Sequence, residues 1–393
     1  MNSPPLKNQL SKIEKNMKFV IGILAFTLTL LCVSCNNSKP KEEGSSSVNQ
    51  DSIQVKQPEL PPLEAGEVEY KDDAFREVIE IEGHNLVADS FVFMPTNSKV
   101  LVKGKYMIMR VEVYTRDLHP FIIFKYPEMT YVTEVGQYGN GPDEFLLGDI
   151  IPTDDPKYLC YLMETTREKL YKLNRKGQIE PYSFSFSSSP EYRPFGSLKE
   201  YIHNVGEDDF IYSDKSKSGR SIYRSYAKGD SVIREELCSL QADPKVRNPF
   251  AYMGYMAINA KKNRIAYAYR YYKKLKFMTL NADTIKDINY NLKEFDIETL
   301  NIANGLDRNA THYCYITGGE NYVYVVHSGR VPSDMTADWS YINVEQYDWN
   351  GNPIRKYKLK NFFGKVYVDE ARKRMVGITF AYDDPFVEFK LPE

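Results

Sequence analysis

Arg110, Glu164, Asp214, Arg270 and His327 are the side chains of this sequence whose types and placement could do chemistry together. Each stands at or near the end of an apolar run: Tyr106 to Val113, Tyr158 to Met163, Phe210 to Ser213, Ile265 to Tyr271 and Tyr322 to His327. If these runs are equivalent strands, their ends open toward one face. The charge then changes from repeat to repeat around a common mouth, which suits a polar ligand or a peptide partner. Solvated strand ends that vary freely would produce the same residues, so both readings stay open. Tyr269 is a further candidate, because alternation along residues 265–272 places Tyr267, Tyr269 and Tyr271 on one side of a strand. Such a row can stack a sugar or fill the space between packed sheets.

Other chemistries lack their signatures. There is no Gly-x-Ser-x-Gly elbow, no His-Glu-x-x-His pair and no Asp-x-Asp-x-Asp-Gly loop. His84, His119, His203, His312 and His327 fall at no ligand spacing and read as surface or packing residues. The acid pairs Asp72-Asp73, Asp154-Asp155, Asp208-Asp209 and Asp383-Asp384 adjoin turn residues, where Asp caps turns. No catalytic residue, metal ligand or cofactor is expected. Gly136, Gly139 and Gly141 suggest a phosphate loop, but their order does not match the nucleotide fingerprint, and Pro142-Asp143-Glu144 stands where a helix should begin. The alternative is structural. The glycines permit positive φ in a tight connection, Pro142 fixes its exit and Glu144 accepts backbone N–H bonds from the loop.

The elements that would position these residues repeat. Residues 169–179 and 344–354 read as strand, four-residue turn and return strand, and residues 222–232, 276–285 and 122–131 are looser copies, each with turn formers between the strands. One of the apolar runs precedes each hairpin, at a spacing of roughly fifty residues. A sixth unit is read from residues 364–369, 374–379 and 385–389. The pattern predicts an all-β six-bladed β-propeller with four-stranded antiparallel blades over residues 66–393. An N-terminal strand between Val68 and Ile81 would close the ring and remove its open edges. Residues 287–306 are read as a loop or one short helix. A two-sheet sandwich with a second domain is the competing architecture.

The segment Val135-Gly-Gln-Tyr-Gly-Asn-Gly-Pro-Asp-Glu-Phe145 resembles the glycine signature of six-bladed β-propeller lipoproteins of Gram-negative envelopes, a group related to NHL-repeat and TolB-like propellers. The resemblance implies the propeller fold and an envelope location; it implies no reaction, since folds do not carry function. Some propellers of this blade number are similar to metal-dependent lactonases or esterases, whose axial metal is held by Glu, Asn and Asp. Glu164 and Asp214 could supply two such ligands, and a divalent metal is expected only under that alternative.

The front of the chain carries an address. Lys18 precedes an apolar run from Phe19 to Val33 that stops at Cys35, with Ser34 before it. This is read as a signal peptide over residues 1–35, with Met17 as a better start than Met1 and Cys35 as the lipidation site. Residues 36–65, rich in Ser, Pro, Glu and Lys, read as a disordered tether. The Cys32-x-x-Cys35 spacing has no neighbouring metal ligand, and cleavage before Cys35 would leave Cys160, Cys238 and Cys314. The net charge of −2 argues against nucleic acid as a partner. The expected protein is a monomer that binds or scaffolds an envelope protein or a carbohydrate and meets the membrane through its lipid.

Overall fold

The computed structural model describes residues 67–70, 74–75, 77–86, 99–111, 119–186, 199–290, 295–302, 305–379 and 386–392. Cys35 and the proposed signal and tether lie outside them. Among the described residues no helix is long and apolar enough to cross a membrane.

Three short strands come first: β1 (Glu67–Tyr70), β2 (Val78–Ile81) and β3 (Gly83–Leu86). Blade 1 follows with β4 (Lys99–Lys103), β5 (Tyr106–Arg110), β6 (Phe121–Lys125) and β7 (Thr130–Val135). Blade 2 holds β8 (Gly148–Ile151), β9 (Tyr158–Glu164), β10 (Lys169–Asn174) and β11 (Ile179–Tyr182). Blade 3 holds β12 (Glu200–Gly206), β13 (Asp209–Ser216), β14 (Gly219–Lys228) and β15 (Ser231–Ser239). Blade 4 holds β16 (Gly254–Asn259), β17 (Arg264–Tyr269), β18 (Lys274–Met278) and β19 (Thr284–Tyr290). Blade 5 holds β20 (Thr311–Gly318), β21 (Tyr322–Arg330), β22 (Tyr341–Asp348) and β23 (Pro353–Lys360), with helix α1 (Pro332–Ala337) between β21 and β22. Blade 6 has β24 (Lys365–Asp369), β25 (Arg374–Ile378) and β26 (Phe386–Lys390). The consecutive strands of each blade form an antiparallel meander, which makes the unit an all-β six-bladed propeller.

The closing strand lies just beyond the segment expected to supply it. β3 pairs antiparallel with β26, from Gly83↔Phe389 to Leu86↔Phe386, and completes blade 6. The two strands inside residues 68–81 do something else. β1 adds in parallel to β19 and β2 adds in parallel to β23, so blades 4 and 5 have five strands each. The N-terminal segment thus contributes an outer strand to three consecutive blades.

The apolar runs are central strands packed on both faces. Phe121, Ile122, Ile123 and Phe124 are all buried, as are residues 159–164. Their side chains form cores between neighbouring blades, such as Met107, Phe124, Val376 and Phe386 between blades 1 and 6. The two best hairpin repeats share one turn device. Asn174 Oδ1 accepts from the amides of Lys176 (2.9 Å) and Gln178 (3.1 Å), and Asp348 Oδ1 accepts from those of Asn350 (2.8 Å) and Asn352 (2.8 Å). Gly177 and Gly351 take φ of +80° in these turns, a region that favours glycine.

Residues 296–309 belong to a second compact unit. Its described part consists of two 3₁₀ turns, Ile297–Asn301 and Gly305–Arg308. Asp296 caps the first, and Asn309 ties both together by accepting from the Asp296 amide (2.9 Å) and donating to Thr299 Oγ1 (2.8 Å). The expectation of one short helix or a loop is corrected to these two turns, with β19 occupying the front of that stretch.

Candidate functional site

Arg110, Glu164 and Arg270 stand at or just after the end of the second strand of blades 1, 2 and 4, while Asp214 and His327 lie inside β13 and β21, short of their ends. Their partners on the first strands share that end of the ring: Arg110 faces Lys99, Glu164 faces Gly148, and His327 faces Tyr313. They are not gathered at one point, and their uses differ.

Glu164 is fully buried and committed to its own neighbourhood. Its carboxylate accepts from Thr166 Oγ1 (2.8 and 2.9 Å), from the Arg167 amide (2.8 Å) and from Arg167 Nε (3.1 Å). Burial alone would raise its pKa; these hydrogen bonds, with one from the Leu147 amide, outweigh it and hold the carboxyl below the usual range. Arg167 then reaches the glycine segment, donating to the carbonyls of Gly141 (2.7 Å) and Glu144 (2.6 Å). Glu144 Oε2 accepts from the Gly141 amide at 2.7 Å. A Cβ on Gly139 would collide with the Glu144 carboxylate, and Gly136 has φ of +80°. Phe145 anchors the loop between Phe121 and Tyr171, with ring centroids 5.2 Å from each. The segment is a strap between blades 1 and 2, and its donors face inward rather than toward a phosphate.

Asp214 accepts from Arg234 Nη2 at 3.0 Å and from the Lys215 amide at 2.7 Å. Glu164 and Asp214 are therefore each held by their own blade. Among the described residues no three His, Cys, Asp or Glu side chains gather closely enough to hold a metal ion. Tyr269 is corrected as a ligand platform. Only 2% of it is exposed, and its ring lies edge-on to Tyr267 (5.1 Å) and Tyr272 (6.1 Å). The alternation that aligned these tyrosines directs them into the protein interior.

Arg270 has more promising company. Glu200, at the start of β12, binds Arg220 Nη1 at 2.8 Å and lies within electrostatic reach of Arg270 and Asp214. Desolvation raises the Glu200 carboxyl, with both arginines pulling it back. Yet its side chain is 34% exposed, so this acid sits deep in the molecule and still meets solvent. Beside it the first strands of blades 3, 4 and 5 supply Tyr201, Tyr255 and Tyr315, in sequential ring contact at 5.6 and 6.3 Å. All three are partly exposed. Tyr255 is within reach of both Arg270 and Glu200. On the first strands of blades 1 and 2, Lys99 pairs with Asp149 at 3.1 Å, and Asp149 lies within electrostatic reach of Glu200 and Tyr315. Sequence reading missed Glu200, Arg220 and the tyrosine row, although Tyr201 and Tyr255 are each the second residue of a first strand, a position the repeat alignment could have compared; Tyr315 lies in the middle of β20.

His327 belongs to a separate buried network between blades 4 and 5. Its Nδ1 lies 3.6 Å from Glu345 Oε1, and its ring is parallel to that of His312 at 6.3 Å. Glu345 is fully buried and accepts from the hydroxyls of Tyr347 (2.9 Å) and Tyr313 (3.4 Å), with Lys356 Nζ at 3.9 Å. Burial pushes the His312 imidazole down to about 4 and His327 well below its usual value, with Lys273 acting in the same direction on both.

Two kinds of comparison place the chain among known proteins. The family described as TolB-like 6-blade propeller-like matches residues 74–371, well over half of the chain. The chain belongs to this family. Among solved structures it is similar to a member of the DUF4221 family from Bacteroides vulgatus, with a TM-score of 0.55 and 13% identity over 79% of this chain and 95% of that one. It is also similar to a protein from Bacteroides fragilis described as exported, with a TM-score of 0.48 and 10% identity over 80% of this chain and all of that one. The likeness to the Bacteroides vulgatus protein speaks to the fold alone. No curated protein matches the chain.

Proposed function

We propose that this propeller is a binding module of the cell envelope, anchored by lipid on Cys35, which takes a polar ligand at the ring end where Glu200, Arg220 and Arg270 adjoin Tyr201, Tyr255 and Tyr315. One observation carries this reading: an acid with two bases stands beside a partly exposed row of aromatic rings contributed by three successive blades. Aromatic faces take the apolar side of a sugar ring, while a carboxylate and guanidinium groups take its hydroxyls or the charges of a peptide. A carbohydrate or a polar segment of an envelope protein fits both halves of the site. The location rests on the apolar run that ends at Cys35.

A glycan array and crosslinking in intact cells test the binding reading. A ligand that is lost with Arg270→Ala and with Tyr255→Ala, in proteins whose thermal unfolding is unchanged, supports it. Ligands unaffected by either substitution would move the site elsewhere, and silence in both assays would leave a spacer role. Location is tested separately: Cys35→Ala should abolish membrane fractionation, and a variant still in the membrane pellet would refute lipid anchoring.

A further inference from the structure

The outer edge of a blade in this protein is a place where an extended segment docks. β1 lies along β19 in register Glu67↔Asp287 to Tyr70↔Tyr290, and β2 along β23 from Val78↔Lys356 to Ile81↔Leu359. Both additions are parallel and bring an acidic segment; the receiving strand of blade 5 carries Arg355, Lys356, Lys358 and Lys360, whereas β19 carries the single lysine Lys286 and has Asp287 in register with Glu67. On blade 5 the charges are matched one by one: Glu77 with Arg355 at 3.4 Å, Glu80 with Lys358 at 2.6 Å and Glu82 with Lys360 at 3.3 Å. Backbone pairing gives such an addition its affinity, and the side-chain pattern gives it selectivity.

Among the described residues, β7, β11 and β15 receive no added strand. They are not equal. β11 has four residues and a proline, Pro181, within it, which removes a donor from its ladder. β7 has six residues, and a register shift interrupts its pairing with β6, as one also interrupts the pairing of β15 with β14 at Ile222/Tyr223. β15 has nine residues, Ser231–Ser239, without Pro or Gly, and its first six are exposed. Val232 and Ile233 are each 37% exposed on this edge strand. A long exposed edge of this kind is a template for pairing with another chain.

We infer that the outer edge of β15 docks an extended segment of a partner protein, alternately apolar and basic, as a fifth strand of blade 3. The charge of the edge selects that partner. Arg234 is already engaged with Asp214 at 3.0 Å and stacked 4.0 Å over Tyr223, and Glu236 accepts from Ser221 at 2.8 Å. Glu235 is exposed and extends the acidic character of the strand. A second copy of β15 paired antiparallel about Glu235 would set that carboxylate against its own twin, whereas a lysine on a partner strand complements it. The polarity is the reverse of blade 5, where the docked strand is acidic and the receiving strand basic. This surface is distinct from the ring-end site and stands or falls without it.

The test uses the purified full chain and four capped nine-residue peptides: alternating valine and lysine, alternating valine and glutamate, and the lysine peptide N-methylated along one edge or along the other. Binding is read by fluorescence anisotropy, and its position by amide hydrogen exchange. The expected result is that the lysine peptide binds and protects β15 amides, that one of the two N-methylated forms fails, and that Glu235→Lys weakens the lysine peptide while favouring the glutamate peptide. Three results overturn the proposal: no binding up to about 1 mM, equal binding of all forms, or outward β15 amides already protected in the protein alone.

Discussion

Glu345 is a carboxylate with no exposed surface, and its stability rests on two tyrosine hydroxyls that donate to one of its oxygens. Taking away one donor leaves a buried charge short of a partner. Tyr347→Phe should therefore cost about 1–3 kcal/mol, measured by urea unfolding at neutral pH. The neighbouring imidazoles make this region sensitive to acid. His312 has a folded pKa of about 4, below the ordinary value of 6.5, because burial disfavours its charged form. The unfolded chain takes up that proton first, so the contribution of neutral His312 is complete above pH 6.5 and is lost as pH falls toward 4. His203, lowered to about 3, acts in the same sense over a wider window. Urea midpoints measured across this range should fall less steeply for His312→Gln than for the unsubstituted chain.

Between blades 1 and 2, one arginine joins a buried acid to a glycine loop. Arg167→Ala removes the donor to Glu164 and the ties to Gly141 and Glu144 together. Loss of one partner of a buried pair predicts a cost of about 3 kcal/mol, visible as a lower melting temperature and as faster amide exchange over residues 136–146. This strap also shows what was legible in the sequence. The glycine spacing, Pro142 and the acceptor role of Glu144 were readable, because they follow from backbone conformation within a few residues. The five hairpins and the sixth unit were readable for the same reason, as alternation and turn residues are local. The assignment of Tyr269 to a ligand was not safe, because period-two alternation says which residues share a face and not what covers it. Glu164 stands at a readable strand end, yet its partners Thr166 and Arg167 decide its role. The meeting of Glu200 with Arg220 and Arg270 depends on how separate strands and blades pack, which short-range spacing does not report.

At the scale of the ring, three N-terminal strands serve three different blades, and they divide into two kinds. β1 and β2 are additions to blades that already have four strands; β3 is the fourth strand of blade 6. A chain beginning at Gly83 should fold cooperatively with a lowered melting temperature, whereas one beginning at Val87 should lose a single sharp transition, as followed by near-ultraviolet circular dichroism and calorimetry. The same arrangement sets a timing problem. Glu80 and Lys358, partners beside the closing strand, are 278 positions apart. Meanders within a blade form from neighbours, but the last seam must wait for the end of the chain, and contacts of such high sequence separation fold slowly. During synthesis β3 is therefore made early and waits for β26, the last strand, before blade 6 is complete. The protein is most open to proteolysis or mispairing just before it is finished, and a chaperone acting on it would gain most by shielding β3 until β26 emerges.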